Sequence, residues 1–242
     1  MYRVLFSIGN IDIHAFGIML LIGIIAGSLV IVKAARRYNL VRSISRQYLL
    51  LDIVLWTIFS GLIGARIGHV LLYSSLYQEI NPINIVFGGG FVYWFGFIFA
   101  LLAFVIIAGI HRLDIRRWLD IMILGMVVGA FFVHLGVLLS GDYQAQISTS
   151  VISVDGRVPT PLYLALGDLG LVILWRKIYF KLSNISGLTF CWTVGLLTAL
   201  DFLVNFWQFS SVVIGPLNLA QLIDLGVVLG VVIIGWSLYV RR

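Results

Sequence analysis

The sequence predicts an all-α polytopic membrane protein: seven transmembrane helices, with the N-terminus outside and the C-terminus in the cytoplasm. Three observations predict it. Mean hydropathy is +1.09, and only 11% of residues are charged against 61% hydrophobic; a soluble domain has about a quarter charged. Long apolar runs recur along the 242 residues, most near the roughly 20 residues a helix needs to cross the hydrocarbon core. All but three of the sixteen Lys and Arg residues fall in four clusters, Lys33 to Arg46, Arg112 to Arg117, Arg176 to Lys181 and Arg241–Arg242, each directly after such a run.

A charged side chain at the bilayer centre costs about 2.5–3.5 kcal/mol on insertion scales, and Lys and Arg collect on the cytoplasmic side. The first run, 12–32, is too long for the core of a cleaved leader, and its basic cluster follows it, so it reads as a retained span. The second, 50–74, contains Arg66. The third, 87–110, opens on Gly88-Gly89-Gly90, which permit a bend or a close backbone approach. The fourth is 119–140. The fifth, 161–175, is short and carries Asp168, as a tilted or broken span would. The sixth is 188–209 and the seventh 217–240. Seven spans place all four basic clusters on one face, and an even number would strand one of them. The opposite loops fit: 75–86 and 209–216 have no Lys or Arg, and 141–160 has only Arg157.

The polar stretch Gly141 to Pro161 reads as an outer loop or cap, 141–160, on a single membrane domain, 1–242. Glycines three or four apart (Gly61, Gly64, Gly68; Gly125, Gly129; Gly226, Gly230) allow helices to pack closely in lipid. The net charge of +6 follows from the cytoplasmic bias, and no nucleic-acid partner is expected. The one cysteine, Cys191, excludes an internal disulfide and a multi-thiolate metal site. No His or carboxylate pair has metal-ligand spacing, and no GxSxG elbow or phosphate-binding Gly loop is present; neither metal nor cofactor is expected.

Ionisable groups within spans are the candidates for function, because each is costly without a partner. Arg66 lies about 10 Å, at 1.5 Å per residue, from the outer end of its span at Tyr73. That depth suits a lipid phosphate held by a bidentate guanidinium, or else an ion pair with Asp168 or Asp201. His69 and His134 are candidate general bases, or imidazoles hydrogen-bonded to neighbours. Asp52 and Asp120 begin spans on the basic side and read as partners of their own helix dipoles. Asp168, Asp201 and Asp224 need partners or water to stay charged, and they alone motivate a transporter or channel. Asp201, Asn205 and Gln208 form a polar stripe at helical spacing.

These motifs together resemble the prolipoprotein diacylglyceryl transferase family over most of the chain. His14-Ala-Phe-Gly-Ile-Met-Leu is similar to its opening segment. Asp52, Gly61-Leu-Ile-Gly-Ala-Arg66-Ile-Gly-His69, Tyr73, Tyr77 and Asn81-Pro82 follow its second span and outer loop. Gly89-Gly90 resembles the glycine pair before its third span, Pro159-Thr-Pro-Leu-Tyr163 its Pro-Ser-Gln-Leu-Tyr-Glu motif, and Leu219-Ala-Gln221 its Met-Gly-Gln segment. The resemblance implies a multi-pass protein of the bacterial plasma (inner) membrane, with phosphatidylglycerol as one partner and a preprolipoprotein, or else another membrane protein, as a second. The implied reaction moves a diacylglyceryl group onto the lipobox cysteine thiol, which needs a base and cations around the leaving phosphate.

The sequence departs from the family pattern where that chemistry is placed. The essential His of the third span aligns with Trp94. The fourth-span signature aligns with Gly129-Ala-Phe-Phe-Val-His134-Leu-Gly-Val-Leu138, so that its Arg is Ala130, its Asn Val133 and its Glu Leu138, while a later glycine persists as Gly141. The sixth-span Arg aligns with Asp201, the Glu after the Tyr163 motif is Leu164, and the first-span Tyr is Phe16. The expected function is therefore lipid or lipoprotein-precursor binding with little or no catalysis, a pseudoenzyme, with lipid-binding residues Arg66, His69, Gly141, Tyr163 and Gln221. The alternative is a working transferase with His134 as base.

Overall fold

A backbone in hydrocarbon has no water to bond to, so a spanning segment closes its hydrogen bonds within itself, as a helix does. The computed structural model describes residues 4–8, 11–41, 43–77, 90–150, 153–182, 185–208 and 213–240, and it follows that rule. After a β-hairpin, β1 (Val4–Ile8) and β2 (Ile11–His14), come α1 (Ala15–Arg37), α2 (Ile44–Leu72), α3 (Tyr93–Ile110), α4 (Ile115–Ser140), α5 (Thr160–Leu182), α6 (Leu188–Val204) and α7 (Leu219–Val240). Short 3-10 turns follow α2 at Ser74–Tyr77 and α6 at Asn205–Trp207, and a small hairpin, β3 (Val213–Ile214) with β4 (Leu217–Asn218), precedes α7. The protein is an all-α polytopic membrane protein. Among the described residues six helices are long and apolar enough to cross a bilayer, and in α5 the apolar part is the shorter Thr160–Trp175.

Boundaries differ from the sequence expectation in two places. The first apolar run does not begin as helix: Ile11–His14 pairs antiparallel with Val4–Ile8, and α1 starts at Ala15. The third helix starts at Tyr93 and not near 87, because Gly90 has φ of +98° and the Val92 N–H bonds the Ala65 carbonyl at 3.0 Å. Residues Asn81-Pro82, Gly88-Gly89 and Arg241–Arg242 lie outside the described residues.

By its internal contacts the chain divides into two compact units, Ala35–Ile115 and Met1–Ala34 with Arg116–Arg242. In the first, α2 lies on α3 through small residues. A Cβ on Gly61 would stand 3.2 Å from the Ala100 Cβ, and one on Gly96 would stand 3.0 Å from the Ala65 Cβ. Gly64 and Gly68 face Phe99 and Phe95 so closely that a Cβ would strike each ring. The Ser60 hydroxyl donates to the Phe99 carbonyl at 3.1 Å. In the second unit α1 meets α4 backbone to backbone: a Cβ on Gly27 would lie 2.5 Å from the Gly125 oxygen, and one on Gly23 2.9 Å from the Gly129 oxygen. The Gly226 and Gly230 pair has no atom of a neighbour in reach, so the expected close packing is met at the first two glycine sets and not at this one.

Two acidic residues depart from the helix-dipole expectation. Helix α2 begins at Ile44, so exposed Asp52 lies two turns inside it. Asp120 is buried and caps a different helix. Its Oδ2 accepts the Gly187 N–H at 2.7 Å and its Oδ1 the Phe190 N–H at 2.8 Å. The N-cap of α6 is Gly187 at φ +88°, which has no side chain of its own for the orphan N–H groups of the first turn. Asp120 supplies the missing acceptor from α4 and fixes how α6 leaves its connection.

Replacing Asp120 with Ala leaves two N–H groups without that acceptor, and a loss of about 2–4 kcal/mol in unfolding free energy is expected. Denaturant titration of the detergent-solubilised protein checks it, with Asp120→Asn expected to fall between wild type and Asp120→Ala.

Candidate functional site

Within the unit Ala35–Ile115, Arg66 lies on α2 two residues from each of Gly64 and Gly68. Those glycines meet the phenylalanines of α3, and at about 100° per residue Arg66 stands on another side of α2; the residue is 9% exposed despite its charge. Its Nη1 donates to the Gly90 carbonyl at 3.1 Å, and its Cζ lies 5.4 Å from the centre of the Tyr77 ring. His69, one turn on, shares a 2.8 Å hydrogen bond between Nδ1 and the Tyr77 hydroxyl and packs on Tyr73 at 4.8 Å. Gly90 is required twice over: its φ is in the left-handed region, and any Cβ there would run into the His69 ring. Arg66, His69, Tyr77 and the Gly90 backbone thus form one cluster with a cationic centre.

Within the other unit a second cluster has the opposite character. His134 Nδ1 and Asp168 Oδ2 are 2.7 Å apart, joining α4 to α5, with the imidazole 27% exposed and the aspartate 1%. Asp201 of α6 lies within electrostatic reach of the same imidazole, and Asp224 of α7 within reach of Asp201. Asn205 Nδ2 donates to the Asp201 carbonyl at 2.9 Å and to Asp224 Oδ2 at 3.5 Å. Asp168 Oδ1 and Asp224 Oδ1 are buried and have no hydrogen-bond partner among the described residues. Among the described residues no group of three or more His, Cys, Asp or Glu is arranged to hold a metal.

The other sequence candidates have local roles. Gly141, at φ +73°, ends α4 with its N–H on the Val137 carbonyl at 3.1 Å, the usual work of a C-terminal glycine. Tyr163 stands 6.0 Å from the Trp207 ring. Gln221 and Asn218 form a reciprocal cap for α7: Gln221 Oε1 accepts the Asn218 N–H at 3.0 Å, and Asn218 Oδ1 accepts the Gln221 N–H at 2.8 Å. The Gln221 amide also donates to the Phe202 carbonyl at 3.3 Å. Trp94 packs among Tyr93 and Phe97 at 5.3 and 6.0 Å, and Ala130 is half-buried on α4.

The sequence reading did not foresee Tyr77 as a partner of both Arg66 and His69, nor the pairing of His134 with Asp168. A depth count contains the second. His134 lies six residues before the end of α4 and Asp168 eight after the start of α5, about 9 and 12 Å from helix ends that one loop joins.

That loop is folded onto the turn after α6. The Gln146 N–H bonds the Trp207 carbonyl at 2.9 Å and its side-chain amide the Phe206 carbonyl at 3.0 Å. Arg157 Nη1 donates to the Tyr143 carbonyl at 3.2 Å. The Tyr143 hydroxyl is buried without a hydrogen-bond partner among the described residues. Burial pushes its phenol above the ordinary range, the Asp155 carboxylate adds to the rise, and Arg157 opposes it.

A family model described as prolipoprotein diacylglyceryl transferase matches residues 3–237. The phosphatidylglycerol–prolipoprotein diacylglyceryl transferase of Finegoldia magna is 28% identical over 239 residues, covering 97% of this chain and 94% of the relative. That of Clostridioides difficile is 31% identical over 238 residues, covering 96% and 94%. That of Geobacter sulfurreducens is 23% identical over 234 residues, covering 91% and 89%.

Tyr143→Phe removes a buried hydroxyl that bonds nothing, so stability is expected to stay level or rise by up to about 1 kcal/mol. The sign with pH follows from the raised phenol. Its contribution is complete below the unfolded value of about 10 and is lost as pH climbs through the higher folded value. Unfolding followed through the alkaline range is expected to show that loss in wild type and not in Tyr143→Phe.

Proposed function

The chain belongs to the prolipoprotein diacylglyceryl transferase family, and on that premise we propose a multi-pass protein of the bacterial plasma membrane that binds phosphatidylglycerol with little or no diacylglyceryl transfer. The Arg66 cluster carries this reading. A guanidinium kept inside an apolar helix, oriented by the Gly90 carbonyl and backed by the Tyr77 ring, has the donor geometry that a phosphodiester accepts. With the N-terminus outside, Arg66 stands about 10 Å below the outer end of α2, within reach of outer-leaflet headgroups. His69 lines the same place. Gly141, Tyr163 and Gln221 would bear on lipid only by shaping the ends of α4, α5 and α7.

The positions that would drive transfer support the limit on catalysis. Trp94, Ala130 and Asp201 stand where the family resemblance calls for an imidazole and two guanidinium groups. Removing one preorganised donor from such a site costs about 3 kcal/mol, on the order of a hundredfold in rate or more. Here one cation is absent and another is replaced by a carboxylate. Phosphatidylglycerol and a prolipoprotein remain the expected partners, because the relatives' names print both.

One observation favours a second reading, in which the chain is a working transferase. Asp168 fixes the ring of His134 and leaves the imidazole partly open, as an acid that orients a general base would.

Phosphatidylglycerol in nanodiscs is expected to bind the wild-type protein, and Arg66→Ala to weaken that binding about tenfold or more; equal binding by the two proteins would remove the basis of the proposal. For the second reading, a lipobox peptide is expected to gain no diacylglycerol from the purified protein, and expression is not expected to rescue a strain depleted of its own transferase. Rescue that His134→Ala abolishes would establish the working enzyme instead.

A further inference from the structure

Tyr77 reaches the Arg66 cluster from outside the spanning helix. Helix α2 ends at Leu72, where the Tyr73 N–H bonds the His69 carbonyl at 3.0 Å, and the 3-10 turn Ser74–Tyr77 follows. Had the helix run on, position 77 would stand about 16 Å beyond position 66 along the axis, at 1.5 Å per residue. The turn brings the chain back instead, and the centre of the Tyr77 ring lies 5.4 Å from the Arg66 Cζ.

The two ends of this side chain are engaged separately. The ring face meets the guanidinium, while the hydroxyl shares a 2.8 Å hydrogen bond with His69 Nδ1. The two rings stand edge to face, 5.9 Å apart at 87°. His69 is itself confined. Tyr73 packs on it at 4.8 Å, and its far edge lies so near the Gly90 backbone that a Cβ there would strike Nε2, Cδ2 and Cε1. A fixed imidazole thus holds a hydroxyl, and the hydroxyl holds the ring on the cation.

The consequence for an anion follows from where the donors point. The N–H groups of a guanidinium lie in its plane, and an aromatic face attracts a cation and repels a negative charge. With Tyr77 on the cation and the Gly90 carbonyl on Nη1 at 3.1 Å, a phosphate is turned toward the N–H edge. Less side-chain freedom is then lost when it binds.

We propose that Tyr77 is a positioning residue for phosphatidylglycerol, acting on the headgroup only through Arg66. Its ring holds the guanidinium, and its hydroxyl, tied to His69, keeps the ring there. This rests on the reading of Arg66 as the phosphate-binding group.

Phosphatidylglycerol titrated onto the full chain in detergent, with binding read by native mass spectrometry, tests it. Tyr77→Leu is expected to weaken binding about tenfold, and Tyr77→Phe, which keeps the ring, only about threefold. In an Arg66→Ala background neither change is expected to weaken binding further, because the group they act through is gone. A turn merely loosened by the substitution would lose affinity with or without Arg66. In a His69→Ala background Tyr77→Phe is likewise expected to add nothing. Where Tyr77→Leu does not fold, Tyr77→Phe in the two backgrounds decides. The proposal is overturned by a folded Tyr77→Leu chain that binds as tightly as wild type or more tightly. It is overturned equally by a Tyr77 effect that persists without Arg66, or by a Tyr77→Phe loss that persists without His69. Weaker binding in Arg66→Ala with none in Tyr77→Leu defeats this role alone and leaves the phosphatidylglycerol reading standing. Binding that Arg66→Ala leaves unchanged removes both.

Discussion

The structure depends first on backbone meeting backbone. Lipid tails are as apolar as leucine, so no hydrophobic force drives one spanning helix onto another; contact area and polar bonds must do it. Glycine makes the area available. Where Gly27 meets the Gly125 carbonyl, a single added carbon would stand 2.5 Å from the oxygen, closer than any real Cβ approaches one. On another side of α2 from Gly64 and Gly68, Arg66 donates to the Gly90 carbonyl, in the segment that the Val92 N–H ties to Ala65 of α2.

Polar side chains then act as joints between helices. Asp120 holds the start of α6 from α4, Ser60 of α2 bonds a carbonyl of α3, and Trp175 of α5 donates to Thr193 of α6 at 3.2 Å. Asn218 and Gln221 close the start of α7 on each other. Each joint satisfies a group that would be left bare in hydrocarbon.

Much of the fold was legible in the sequence because hydropathy and charge are one-dimensional signals. The apolar runs become helices, and the shortest, 161–175, becomes the helix whose apolar part is shortest. The glycine sets at 61, 64, 68 and 125, 129 mark real contacts, yet Gly226 and Gly230 show the same spacing and meet nothing; spacing identifies a face, and only the neighbour decides its use. Asp120 was misread for the same reason, since its partners lie 67 and 70 residues away. The start of α3 was hidden because it is set by a left-handed Gly90 and by a bond to Ala65 of another helix. Depth along a helix was the unused signal: it places His134 and Asp168 level before any coordinates exist.

Depth and charge together separate the two clusters by what each could bind. Thiol alkylation by a diacylglyceryl group builds negative charge on a departing phosphate, and the groups that would meet it must be cationic and already in position. Arg66 meets that condition in one unit. In the other, the position that the family resemblance assigns to an arginine is Asp201, and the groups in its reach are an imidazole and a further carboxylate. A phosphate brought there would face repulsion where it needs attraction, and restoring Arg at position 201 alone would leave Asp168 and Asp224 still opposing it.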